Sequence, residues 1–265
     1  MNNMLTAFLL TLFAGLSTTL GAFIAFSTKK TSKKFLSFSL GLSAGVMIYV
    51  SFVEILPEAF SAMSEHYESE KMAEIMTVIF FFAGIALIGI IDKLIPEKEN
   101  PHEIRALDDS EGKAPKSSLI RLGLMTALAI GIHNFPEGIA TFMSAIEDPK
   151  LGVAIAVAIA IHNVPEGMAV AVPVFHATGS RKKAFKWALL SGLAEPVGAI
   201  IAYLVLLPFL SSVVLGATFA VVAGIMVFIS LDELLPAAEK WGEHHTSILG
   251  VVLGMAIMAV SLLMF

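Results

Sequence analysis

Ile132-His133-Asn134-Phe135-Pro136-Glu137-Gly138-Ile139-Ala140 returns 29 residues later as Ile161-His162-Asn163-Val164-Pro165-Glu166-Gly167-Met168-Ala169, with seven of nine positions identical. Each copy sets His, Asn and Glu beside a proline in the middle of a long apolar run. A charged group at the centre of a membrane helix costs about 2.5–3.5 kcal/mol on insertion scales, so its presence there points to a function.

The surrounding sequence supplies the membrane. Of the 265 residues 57% are hydrophobic and 15% charged, and the mean hydropathy is +0.84. Soluble domains carry about 25% charged residues, so this balance fits an all-α polytopic membrane protein, a single transmembrane domain over residues 1–265. Eight apolar runs are long enough to cross a bilayer as helices, near 4–26, 35–57, 75–95, 119–146, 151–174, 184–208, 213–236 and 246–265. Spanning strands would need polar alternation, which these runs lack. No Lys or Arg precedes Lys29, so the first run is expected to be a retained span and not a signal peptide. Cysteine is absent, which excludes disulfides, thiolate metal ligands and a thiol nucleophile.

Basic residues set the expected orientation. Fifteen of the 17 fall in or beside the connections after spans 1, 3, 5 and 7; Lys71 and Lys150 hold the other side. The basic side is therefore expected to be cytoplasmic, with both termini outside and the protein in the cell membrane. The one long polar connection, 96–118, mixes both charge signs with three prolines and a glycine. It is expected to be a mobile cytoplasmic loop between spans 3 and 4.

A second repeat lies in the flanks. Residues 44–59, AGVMIYVSFVEILPEA, align without a gap on 223–238, AGIMVFISLDELLPAA, with eight of 16 identical. Residues 15–22, GLSTTLGA, align on 192–199, GLAEPVGA, with four of eight identical. Spans 2 and 7 run in opposite directions, as do spans 4 and 5. The expectation is eight transmembrane helices built as an inverted repeat of spans 1–3 and 6–8 around central spans 4–5. Such repeats with proline-interrupted central helices characterise secondary transporters, whose sites lie near the midplane.

Spacing brings the polar residues to one face. His133 and Glu137 stand at i, i+4 and Asn134 and Glu137 at i, i+3; His162, Asn163 and Glu166 repeat the pattern. Pro136 and Pro165 withhold an N–H from the carbonyls of Ile132 and Ile161, so each helix is expected to bend there. Glu137, Glu166 and Glu195 all lie within two turns of the centres of spans 4, 5 and 6. A divalent cation would offset three such charges, and imidazole, amide oxygen and carboxylate all ligate it. The candidate metal ligands are His133, Asn134, Glu137, His162, Asn163, Glu166 and Glu195. Without sulfur the set suits Zn, Fe(II), Mn, Co, Ni or Cd, on one ion or two. Glu54, Asp232 and Glu233 lie nearer span ends and read as structural; His66, His102 and His176 read as loop residues. His244 and His245 read as a helix end, with a weak metal-transfer site as the alternative.

With His-Asn-x-Pro-Glu-Gly present twice and Ala194-Glu195-Pro196 in span 6, the chain resembles the ZIP (Zrt/Irt-like) family of divalent metal transporters. The resemblance covers the whole chain. It implies uptake of Zn(II) into the cytoplasm, with Fe(II), Mn(II), Co(II) and Cd(II) as further substrates. It also implies one metal site from Glu137, His162 and Glu166, and an adjoining one from Asn134, Glu137, Asn163, Glu166 and Glu195. His133 would ligate or relay. The connection after span 3 departs from many family members, which are histidine-rich there.

An enzyme is not expected. An intramembrane metallohydrolase would want an H-E-x-x-H helix, and none is present. A carrier of organic solutes would want a midplane Arg or Lys, and none lies there. The expectation is a metal importer working by alternating access, with spans 4 and 5 as the path and the flanking repeats moving against them. No catalytic cofactor is expected. The expected partners are divalent cations and the lipid bilayer, not nucleic acid, with a homodimer left open.

Overall fold

The computed structural model describes residues 3–27, 33–94, 116–209, 211–241 and 244–264, and every element among them is helical. α1 covers Asn3–Ser27. α2, Lys33–Val50, continues through a π-helical turn, Ser51–Ile55, into α3, Leu56–His66. α4 is Glu70–Leu94, α5 is Lys116–Glu147 and α6 is Pro149–Thr178. α7, Arg181–Gly192, and α8, Ala194–Ile201, share an axis region and end in a second π turn, Ala202–Leu206. α9, Ser212–Ile229, passes through a third π turn, Ser230–Leu234, into α10, Leu235–Trp241; α11 is His244–Met264.

Seven helical stretches among the described residues are long and apolar enough to cross a membrane: Asn3–Phe26, Ser37–His66, Glu70–Ile91, Pro149–Met168, Arg181–Leu206, Ser212–Asp232 and His244–Leu263. The expected fourth span, α5, is one 32-residue helix but is not among the seven. Of the expected loop 96–118, residues 116–118 open α5, and the rest, with His102, lies outside the described residues.

Span 2 runs further than the expected 35–57. Pro57 has no N–H and would crowd the carbonyl of Val53 in a regular helix. The π turn relieves this: the Leu56 N–H reaches back five residues to the Ser51 carbonyl, and the helix continues to His66. The same event recurs before Pro236, where the Leu235 N–H reaches the Ser230 carbonyl. These two π turns occupy equivalent places in the 44–59 and 223–238 repeat.

Packing divides the helices into two groups. α1, α5, α6 and α7–α8 pack mainly on one another; α2–α3, α4, α9–α10 and α11 form the other group, and α2 and α9 cross to the first at α6 and α5. Within the first group the helices touch at glycine. A Cβ on Gly138 would strike the Glu195 backbone, and one on Gly198 the Phe135 backbone. Across the molecule, a Cβ on Gly167 would strike Thr18, and one on Gly21 would strike Val164. Gly15 and Gly192 meet each other: a Cβ on either would strike the other's carbonyl oxygen.

Candidate metal centre

Both copies of the motif lie inside continuous helices, α5 running through Pro136 and α6 through Pro165. An Asp148 cap holds the start of α6, its side chain accepting from the Lys150 N–H at 2.8 Å. Gly179, at φ 65°, ends the helix in the left-handed conformation that costs glycine little. α6 thus stands antiparallel beside α5 after a tight reversal, and the two motif copies face one another.

Asn134, Glu137, His162, Asn163, Glu166 and Glu195 are all fully buried, and the three glutamates are the fully buried carboxylates among the described residues. His133 sits one position before Asn134 on α5; its side chain lies outside the described residues. Glu54 is half-buried and Asp232 exposed, in keeping with their places nearer the span ends. His66 closes α3 with an edge-on contact to Tyr67, and the His176 side chain lies outside the described residues. His244 opens α11 and contacts Glu239 at 2.8 Å on the surface.

The two copies are joined directly. His162 Nε2 lies 3.2 Å from Glu137 Oε1. Asn163 Nδ2 donates to Glu195 Oε1 on α8 and to the Ala14 carbonyl on α1 at 2.9 Å. Asn134 Nδ2 donates to the Ser191 carbonyl on α7 at 3.3 Å.

Sequence reasoning missed one polar partner. Ser43, fully buried on α2, donates from Oγ to Glu166 Oε1 at 3.2 Å and faces the His162 carbonyl at 3.5 Å. It reaches the centre from the other helix group. Nothing near Ser43 in the sequence marks it, because small hydroxyl residues are common in packed membrane helices.

The donor atoms fit a cation. Asn134 Oδ1, Glu137 Oε2, Asn163 Oδ1 and Glu195 Oε2 are buried oxygens to which no protein group donates. Buried acceptors in this condition cost several kcal/mol in hydrocarbon, on the order of 1–3 each in proteins, unless something occupies them. Two ligands held about 2.0–2.2 Å from one tetrahedral zinc lie roughly 3.3 Å apart, close to the His162–Glu137 separation. No three His, Asp or Glu side chains among the described residues stand together at metal-ligand spacing. The groups are therefore near one another in pairs, Glu137 with His162 and Asn163 with Glu195.

Apolar helices closing on a buried set of imidazole, amide and carboxylate groups define a multi-pass membrane protein with a polar interior. The chain belongs to the ZIP zinc transporter family, whose sequence profile matches residues 2–92 and 92–262. It is 60% identical over 263 residues to the zinc transporter ZupT of Streptococcus mutans, covering 99% of this chain and 98% of that protein. It is 61% identical over 269 residues to ZupT of Oceanobacillus iheyensis, covering 100% and 99%. ZupT of Lysinibacillus sphaericus is 60% identical over 265 residues, covering 99% and 98%. The family is one of transporters and not of enzymes, which fits the expectation of no catalytic role.

Proposed function

We propose that this protein imports zinc across the cell membrane through the centre formed by α5, α6 and α8. The observation that carries the proposal is the set of four buried oxygens with no donor, beside the paired His162 and Glu137. The family and the ZupT relatives support zinc as the cargo. His133, Asn134, Glu137, His162, Asn163, Glu166 and Glu195 are its ligands, with His133 at the end nearer the basic face. Fe(II), Mn(II), Co(II) and Cd(II) compete, because a set without sulfur does not separate them. Partial, mixed ligation suits transport, since the ion must leave as readily as it arrives.

α5 serves as the eighth span, its 32 residues being long enough to cross a bilayer. Both termini are extracytoplasmic in this reading, supported by the distribution of basic residues. The inverted repeat is supported by the glycine contacts. Gly138–Glu195 corresponds to Gly167–Thr18, Gly198–Phe135 to Gly21–Val164, and Gly15–Gly192 to itself, as a two-fold relation requires. Thr18 then occupies the place of Glu195, so one half supplies the carboxylate that the other lacks.

Alternating access moves one helix group against the other. Because α1 and α7–α8 pack onto α5 and α6, they travel with the ligands, and the boundary runs where Ser43 meets Glu166. Uptake of radioactive zinc into proteoliposomes, compared among the native protein, Glu137→Ala and Glu166→Ala, tests the proposal. Loss of flux in both variants is expected; flux equal to that of the native protein would remove these residues from the path.

A further inference from the structure

The boundary between the helix groups is not closed along its length. An apolar groove of about 850 Å³ runs between α4, α5, α7 and α9. It is walled by Leu87 and Ile91 on α4, Leu128 and Phe135 on α5, and Val221 and Ile225 on α9. Its lining extends along α5 from Leu124 to Ile139, which is about 22 Å of helix rise. That exceeds one leaflet, about half of the roughly 30 Å hydrocarbon core. Leu87, Leu128 and Leu190 line it while remaining half-exposed, so it opens sideways, toward the bilayer in a membrane-spanning chain.

One end of the groove is chemically distinct. Trp187 on α7 lines it there, followed by Leu190 and Ser191 at the next turn. Lys183 stands one turn before Trp187 on the same helical face, and Lys182 and Lys186 flank it; all three are exposed. An amphipathic ring backed by lysines is the arrangement that holds a headgroup at the membrane surface.

We propose that the groove is a binding site for one anionic phospholipid, an acyl chain lying along α5 and the phosphate held by Lys183 and Lys186. An anionic phospholipid is apolar along its body and negatively charged at one end, matching both parts of the groove. The site touches the metal centre. Phe135 and Pro136 of the first motif form its wall, and Ser191, at its floor, gives its carbonyl to Asn134. A chain lying there separates α5 and α7 from α4 and α9, the surfaces that must slide in alternating access. Occupancy therefore regulates transport. The regulatory part rests on the proposed transport cycle; the binding part does not.

The test reads the two separately. The native protein, purified in mild detergent, is measured by native mass spectrometry for bound phospholipid, with phosphatidylglycerol and phosphatidylcholine as competing probes. One phosphatidylglycerol per chain is expected. Gly131 lines the groove, and a Cβ there would have only Ser191 Cα near it, at 3.9 Å, so Gly131→Phe fills the groove without striking the helix backbone. That variant is expected to lose the adduct, and Ala217→Phe, from the opposite wall, to do the same. Lys183→Gln with Lys186→Gln is expected to keep an adduct but to lose preference for the anionic lipid by about fivefold per lysine. Zinc uptake in phosphatidylcholine vesicles should then rise on adding phosphatidylglycerol for the native protein and not for the double lysine variant. Retention of phosphatidylglycerol by both groove-filled variants overturns the site. Adducts seen on dimers alone, or a dimer that Gly131→Phe dissolves, would make the groove an interface between copies and overturn it as well. Normal lipid binding without any zinc flux would overturn the transport reading and leave the lipid site standing.

Discussion

His162 Nε2 stands 3.2 Å from Glu137 Oε1, joining the second copy of the motif to the first across the seam of α5 and α6. Neither copy holds the pair by itself. Removal of partners that only orient metal ligands costs about 10–100-fold in metal affinity, so removal of a ligand costs at least that much. His162→Ala and Glu137→Gln are each expected to reduce zinc uptake by more than tenfold. The double variant should be no worse than the poorer single one, because the two residues act together. Uptake kinetics in proteoliposomes check this; additive losses would separate the two roles.

Ser43 is expected to behave as a positioning residue. Its hydroxyl holds Glu166 Oε1 from the opposite helix group. Ser43→Ala leaves a buried carboxylate with one donor fewer, a loss of about 1.5–3 kcal/mol for a hydrogen bond to a charged acceptor. The half-saturating zinc concentration should change by about tenfold or more while the melting temperature in detergent stays within a few degrees. An unchanged uptake curve would make the contact incidental.

Gly138 and Gly131 sit two turns apart on α5 and should respond oppositely. A Cβ at Gly138 meets the Glu195 backbone, which cannot turn aside as a side chain can. Overpacking of this kind costs about 1–3 kcal/mol. Gly138→Val should lower the melting temperature and weaken zinc binding by displacing Glu195, whereas Gly131→Ala, with open space at its Cβ, should leave both unchanged.

Zinc should stabilise the purified protein. A ligand at about a hundred times its dissociation constant adds about 2.7 kcal/mol to the folded state. The melting temperature is expected to rise by several degrees on adding zinc and to fall on chelation. Glu166→Gln combined with Glu195→Gln should abolish the rise, since both changes remove a proposed metal ligand from the buried centre.

The absence of native cysteine makes orientation directly measurable. Glu68→Cys and Lys183→Cys both place a thiol at an exposed position. In intact cells a membrane-impermeant maleimide should label the first and reach the second only after permeabilisation. The reverse pattern would invert the proposed topology and the direction of the inward path.

Much of the site was legible before any helix was placed. The polar sets at i, i+3 and i+4, their duplication, and Glu195 at matching depth all follow from helical periodicity and the cost of buried charge, which act locally. The three glutamates expected to be deepest are those fully buried among the described residues. The end of span 2 was misjudged for a local reason as well. Pro57 reads as a stop, yet a widened turn absorbs it and the helix runs to His66.

What the sequence by itself determined, then, is the inventory: apolar helices and a repeated His-Asn-Pro-Glu set joined by a third deep carboxylate. Tertiary structure decided the partners. Ser43, the Ala14 carbonyl and the Ser191 carbonyl reach the centre from 57 to 149 positions away, each from a different helix, through a hydroxyl and backbone atoms that carry no sequence signature. It also decided that Asn163 turns to Glu195 while His162 turns to Glu137. Helical spacing fixes which face a side chain occupies, but which group meets it there depends on how separate helices cross, and that is set by packing along their whole length.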